Sequence, residues 1–211
     1  WEGSVCTDAP VRPAFVESSE LSARLAGYIR AAVNSTKAHS EITGTLLGNE
    51  GYMAGASSTA TDWMALAMGR FGYFDEGDYS FLVDDGTGYE DYLAAMKAYI
   101  EKTYAANRGI LHSAKATEWH RAVVAIAALC GDPTDSGRYN GKPIDLIADG
   151  SYNNALKAGP GTQGINGWIW GLISMDTGMY EVPADAKYTR ERFITEILKM
   201  QLTDGVNGSG Y

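Results

Sequence analysis

Three segments of the chain repeat one design, and that repetition limits what the chain can fold into. They open at Thr61-Asp62-Trp63, Thr117-Glu118-Trp119 and Asn166-Gly167-Trp168. In each, a polar residue stands two places before a tryptophan, a run rich in Ala, Leu, Ile, Met or Gly follows, and a glycine closes the run. Recurrence at intervals of about 50 residues marks a fold made by stacking one supersecondary unit. Thr61, Thr117 and Asn166 can cap the free N–H groups of a helix start. Asp62 and Glu118 fall in the first turn, where the helix dipole favours a negative charge. Gly131-Asp132-Pro133 reads as a stop signal, with glycine past the helix end and proline unable to continue it. The runs are apolar nearly all round, which marks buried helices.

The segments between them have a wet side. Over 89–106, Tyr89, Leu93, Met96 and Ile100 share a face, with Asp91, Lys97, Glu101 and Lys102 elsewhere. Over 189–202, Phe193, Ile194, Ile197 and Leu198 do the same, and over 18–33 so do Leu21, Leu25, Tyr28 and Ile29. These patterns predict amphipathic helices. A shorter helix is expected within 142–156, interrupted at Asp149-Gly150. Wet-faced and all-apolar helices therefore alternate. The simplest all-α architecture with that alternation has buried helices inside and amphipathic helices outside. Strand signals are nearly absent. A long loop is expected over 72–88, rich in Asp, Gly, Phe and Tyr, including Tyr73 and Tyr79. An irregular leader is expected over 1–17, with one domain over 18–211.

Net charge is −9, which opposes binding to phosphate backbones, so nucleic acid is excluded as a natural partner. No apolar run approaches the roughly 18–20 residues needed to span a bilayer. Cys6 and Cys130 share no CxxC spacing, which argues against a zinc knuckle or a thioredoxin-type site. Cys130 reads as a small core residue, and a bridge between the two is left open. The chain begins at Trp1 with no Met and no signal peptide. It therefore reads as a piece of a longer product.

Lys115-Ala-Thr-Glu-Trp-His-Arg121, Gly131-Asp-Pro-Thr134, Gly164-Ile-Asn-Gly-Trp-Ile-Trp170 and Gln201-Leu-Thr-Asp-Gly205 together resemble the terpenoid cyclase and protein prenyltransferase superfamily. The resemblance is to bacterial proteins with squalene cyclase/prenyltransferase-type repeats, and it covers roughly 57–211. It implies an α/α toroid, here a partial one of alternating inner and outer helices. It also implies an extracellular or cell-surface location within a larger protein. The possible ligands it implies are a small molecule, a glycan, an isoprenoid or a corrinoid. Gln201 and Gly205 match a QxxxGxW repeat signature except that Asn207 replaces its tryptophan, which implies an incomplete ring that a second copy or further sequence would close.

The catalytic signatures of that superfamily do not carry over. Asp84-Asp85 is the nearest approach to DxDD, but Leu82 stands where the first Asp belongs, and Gly86, Thr87 and Gly88 follow in place of a DDxxD continuation. The zinc-binding Asp-x-Cys spacing, the Cys-Gly-Glu-Gln turn and the GxSxG elbow are absent, so no metal or cofactor is expected. What remains is a constellation. Asp62, Glu118 and His120 are the candidates for acid/base work on one rim. Trp63, Trp119, Arg121, Asn166, Trp168 and Trp170 are the candidates for a ligand-facing surface. The competing structural reading spends the carboxylates on helix starts and on His120 and Arg121, and packs the tryptophans between helices. With every tested catalytic motif missing, the sequence favours a binding or interaction domain over a cyclase- or lyase-type enzyme.

Overall fold

The computed structural model describes residues 19–58, 60–74 and 87–201. The leader with Cys6, Tyr79, the Asp84-Asp85 turn and all of the Gln201–Gly205 signature after Gln201 lie outside the described residues. Helix makes up 59% of the chain and strand 2%, so the all-α class holds. The helices are α1 (Ser19–His39), α2 (Glu50–Met53), α3 (Thr61–Phe74), α4 (Thr87–Ala106), α5 (Thr117–Ala128), α6 (Ile165–Asp176) and α7 (Arg190–Lys199). No helix among the described residues is long and apolar enough to cross a membrane.

Contacts at their ends give the helices a direction. At the starts of α3, α5 and α6, Asp62 meets Arg121, Trp63 meets Trp170, and Thr117 meets Gln163. At their far ends, Arg70 reaches Thr177, and the backbone of Gly69 lies against Ala128. These three repeat helices therefore run parallel. Consecutive parallel helices need a return path. Helix α4 provides the first: Tyr89 bonds to the Met68 carbonyl late in α3, Tyr92 bonds to Asp62 at its start, and Tyr104 bonds to Trp119 at the start of α5. Its buried stripe is Tyr92, Leu93, Met96, Ile100 and Tyr104; it keeps Leu93, Met96 and Ile100 of the face read from the sequence, leaves Tyr89 half-buried and adds Tyr92 and Tyr104. Helix α7 runs back along α6, with Arg190 on Asp176 and Phe193 edge-on to Trp168.

The return between α5 and α6 holds the short helix expected within 142–156, over 146–152, but it runs through Asp149-Gly150 instead of breaking there, and a hairpin precedes it. Arg138–Tyr139 pairs antiparallel with Lys142–Pro143. Asn140 and Gly141 form the turn, both with positive φ, 50° and 75°, as a two-residue hairpin of right-handed twist requires. A π-helical turn then covers Ala148–Tyr152 and a 3-10 turn covers Pro160–Gln163. Of the 72–88 segment expected as a loop, 72–74 belong to α3 and 87–88 to α4, and 75–86 lie outside the described residues.

Helix α5 is the centre of the core. Trp119, His120, Ala122, Val123, Val124, Ala125, Ile126 and Ala128 are all buried. The other two repeat helices each keep an open side, and their burial corrects the repeat alignment. In α6 the buried set includes Trp168, Gly171, Ser174 and Met175; over 61–70 of α3 it is Asp62, Ala65, Met68 and Gly69. The same spacing therefore places Asp62 where Trp168 stands and turns Trp63 outward, one residue off the tryptophan-on-tryptophan match.

The capping expectations fail for two helices. Ala116 precedes α5 with no side-chain cap, and Thr117 instead gives its N–H and hydroxyl contacts to the Gln163 side chain at 3.1 Å each. Gly164 precedes α6, and Asn166 is exposed inside the helix. At the end of α5 the left-handed residue is Cys130 (φ 61°), not Gly131. The Gly131 N–H closes on the Ile126 carbonyl at 2.8 Å. Glycine is needed there for closeness: a Cβ would lie 2.8 Å from Ile126 Cγ2 and 2.9 Å from Leu93 Cδ2. Cys130 is disulfide-bonded rather than a plain core thiol, and Cys6 is the only other cysteine in the sequence.

Two of the amphipathic faces are only partly covered. On α1, Val33 is buried but Leu25 and Tyr28 are exposed; on α7, Phe193 is buried but Ile194 and Leu198 are exposed. In each helix a single stripe, narrower than the apolar face in the sequence, meets the core.

Candidate functional site

The rim where α3 and α5 begin is organised by one carboxylate. Asp62 has no exposed surface. Its Oδ1 accepts the Ser57 N–H at 2.9 Å and the Tyr92 hydroxyl at 2.9 Å, and its Oδ2 accepts Arg121 Nε at 3.0 Å. A buried carboxylate survives only when such donors replace its water. Burial holds the Asp62 carboxyl above the usual carboxylate range, while the bonds from Ser57, Tyr92 and the Arg121 guanidinium pull it back. The same surroundings push the Tyr92 hydroxyl far up: burial first, then the charge of Asp62.

Arg121 is held on three sides. Besides Asp62, its Nη2 donates to Glu118 Oε2 at 2.8 Å and to the Ser57 carbonyl at 3.1 Å. Ser57 sits in the left-handed region (φ 59°), and both its backbone groups are thereby engaged. Nη1 of Arg121 takes no partner among the described residues. Glu118 is half-buried, so the two carboxylates occupy unlike environments despite matching in the repeat. Counting Asp62, Glu118 and Arg121, the cluster carries one net negative charge.

His120 does not join this group. It is fully buried, and its Nε2 lies 2.8 Å from the Gly150 carbonyl of the π-turn. A carbonyl can only accept, so Nε2 carries the ring proton and Nδ1 is a bare lone pair, with no partner. Burial pulls its pKa down from 6.5 to about 4. The ring is neutral at pH 7 and cannot exchange protons with a ligand on the rim.

The tryptophans divide. Trp119 is fully buried and donates from Nε1 to the Tyr104 hydroxyl at 2.7 Å; that hydroxyl donates onward to Asp149 Oδ2 at 2.9 Å. Trp168 is packed edge-on by Phe193 and Tyr188. Both are core residues. Trp63, 41% exposed, and the half-buried Trp170 instead meet across the rim, ring centroids 5.3 Å apart and tilted by 55°. Asn166 is exposed on the same helix as Trp170. Of the sequence candidates, Asp62, Glu118 and Arg121 are brought together, Trp63 and Trp170 are brought together beside them, and His120, Trp119 and Trp168 are withdrawn.

The sequence reading missed a second polar group around the π-turn. Asp145 Oδ1 accepts the N–H groups of Ile147 and Ala148, and its Oδ2 accepts the Tyr152 hydroxyl at 3.1 Å. Burial, with a smaller contribution from the charge of Asp145, pushes Asp149 above the usual carboxylate range. The only sequence signal was the pair Asp145 and Asp149 four residues apart. Among the described residues, no group of three His, Cys, Asp or Glu side chains is placed to hold a metal ion.

No family model, curated protein or solved structure gives a significant match to the chain.

Proposed function

We propose that this chain is a non-catalytic ligand-binding or interaction domain, built as part of an α/α toroid of squalene cyclase/prenyltransferase type, within a larger secreted or surface bacterial protein. The observation that carries the binding reading is the division of labour on the rim. The groups suited to acid/base work are spent on one another or buried, while Trp63 and Trp170 keep an aromatic surface open next to them. Three parallel helices with antiparallel returns on α4 and α7 support the toroid reading. The disulfide at Cys130 supports an oxidising compartment, where such bonds persist.

The rim favours a neutral ligand over an anionic one, because its net charge is negative and its aromatic pair offers a face to C–H groups. The test is a calorimetric and tryptophan-fluorescence screen against neutral glycans, isoprenoids and corrinoids, repeated with Trp63→Ala and Trp170→Ala. Saturable binding lost in both variants supports the reading. Turnover of an isoprenoid diphosphate or a squalene-like substrate would overturn it.

The exposed Ile194 and Leu198 on α7 favour a second reading, self-association through that face. Light scattering across a concentration series decides it, and a strict monomer excludes it.

A further inference from the structure

A cleft of about 470 Å³ opens where α4 ends and the chain turns toward α5. It lies outside the rim and none of the repeat residues lines it. Its apolar lining includes Ile110 and the buried Leu111. Its walls carry Tyr99, Thr103, Asn107, Arg108, His112 and Ser113. Among the described residues, none of the three hydroxyls, nor the Asn107 amide, nor the Arg108 guanidinium, has a hydrogen-bond or ionic partner. Concave, apolar-lined sites with a few converging polar groups are where small ligands bind.

His112 is set in one tautomer. Its Nδ1 accepts the N–H groups of Ala114 at 3.0 Å and Lys115 at 3.1 Å. Two donors facing Nδ1 leave the ring proton on Nε2, which is unpartnered and therefore a donor waiting for an acceptor. Arg108 adds a cation whose fork suits two oxygens in one plane. No carboxylate lines the cleft. In a chain of net charge −9 that is a local reversal; the cleft over Leu93 and Gly131 is lined by Glu90, Asp132 and Asp135 with Lys97. The partial negative charge at the end of α4 is reduced by closure of its carbonyls, Asn107 N–H on Thr103 and Gly109 N–H on Tyr104 at 2.9 and 2.8 Å.

We infer that this cleft is a second binding site, for a small organic carboxylate. Arg108 and the Nε2–H of His112 take the carboxylate, and the hydroxyls of Tyr99, Thr103 and Ser113 take the ligand's remaining polar groups. A neutral polyol offers nothing that needs Arg108, and a cation is repelled by it.

The test is NMR on the full chain, following the His112 ring signals during titration with glucuronate, with glucose as the uncharged counterpart at matched ionic strength. Glucuronate is expected to give a saturable shift that glucose does not. Arg108→Asn keeps a residue tolerant of the left-handed backbone at that position (φ 57°) and is expected to weaken the interaction about tenfold or more, the loss of a charge-assisted pair. Arg108→Lys is expected to recover part of it. The inference is overturned if glucose and glucuronate shift His112 alike, if neither saturates by tens of millimolar, or if Arg108→Asn binds as tightly as the unaltered chain.

Discussion

Arg121 on α5 donates from Nε to Oδ2 of Asp62 on α3 at 3.0 Å, and the carboxylate it meets has no exposed surface at all. Removing Asp62 takes the acceptor from the buried Ser57 N–H and the Tyr92 hydroxyl and leaves Arg121 with only Glu118 and the Ser57 carbonyl. Asp62→Ala is therefore expected to cost about 3–5 kcal/mol, read as a fall in the urea midpoint. Glu118→Gln, acting on the same guanidinium from a half-exposed position, is expected to cost about 1 kcal/mol or less. Equal losses in the two variants would show that burial does not separate the carboxylates.

His120 makes stability depend on mild acid. Its folded pKa is about 4 against 6.5 for the free side chain. The folded state therefore refuses a proton that the unfolded state accepts. The contribution is fully present above pH 6.5 and is lost as pH falls toward 4. A difference of that size corresponds to about 3 kcal/mol. Urea melts at pH 7.5 and 4.5 measure it, and His120→Gln, which can still donate to Gly150, should flatten that part of the pH profile. A variant with an unchanged profile would assign the acid sensitivity elsewhere.

Two glycines predict opposite outcomes for the same substitution. A Cβ on Gly167 would lie 1.9 Å from the Pro160 carbonyl oxygen, a backbone atom that cannot turn aside. Gly167→Ala should destabilise by about 1–3 kcal/mol, the usual cost of overpacking. Gly27, within α1, has open space around its Cβ position, and Gly27→Ala should stabilise by about 0.5–1 kcal/mol through helix propensity. Thermal melts of both suffice.

The bridge at Cys130 gives a third kind of check. With Cys6 the only other cysteine in the sequence, proteolysis without reductant should yield a single linked peptide pair holding both. Reduction should lower stability by about 4–5 kcal/mol for a closed loop of this length class. Covalent dimers on a non-reducing gel would instead place the bond between chains.

Much of this was legible in the sequence wherever one helix decides its own fate. Leu93, Met96 and Ile100 on α4 and the all-apolar run of α5 are local patterns and are buried as read, while Tyr92 takes the buried place expected of Tyr89. The failures are relational. Thr117 looks like a cap, but Gln163, 46 residues later, claims it. Trp63 looks like Trp119, but whether a residue faces α5 or solvent depends on the rotation of the whole helix. The apolar faces of α1 and α7 are correct as patterns, yet Leu25, Tyr28, Ile194 and Leu198 find nothing to cover them among the described residues. Asn140-Gly141 is a strong local hairpin signal, present in the sequence but set within a chain whose other patterns are helical. The Arg108–His112 cleft had no motif to announce it, because its groups meet only once α4 has ended and the backbone has turned.

The hydrogen-bond chain from Trp119 through Tyr104 to Asp149 has only one polarity. An indole can give a proton but not take one, so Tyr104 must receive from Trp119 and spend its own hydrogen on Asp149 Oδ2. Any proton that Asp149 acquires is thereby confined to Oδ1. Burial holds this carboxyl above its ordinary range, while the Tyr104 hydrogen bond pulls it back. A proton on Oδ1 leaves both hydrogen bonds of the Trp119–Tyr104–Asp149 chain intact, so charge at the π-turn and the bonding that anchors it are separable.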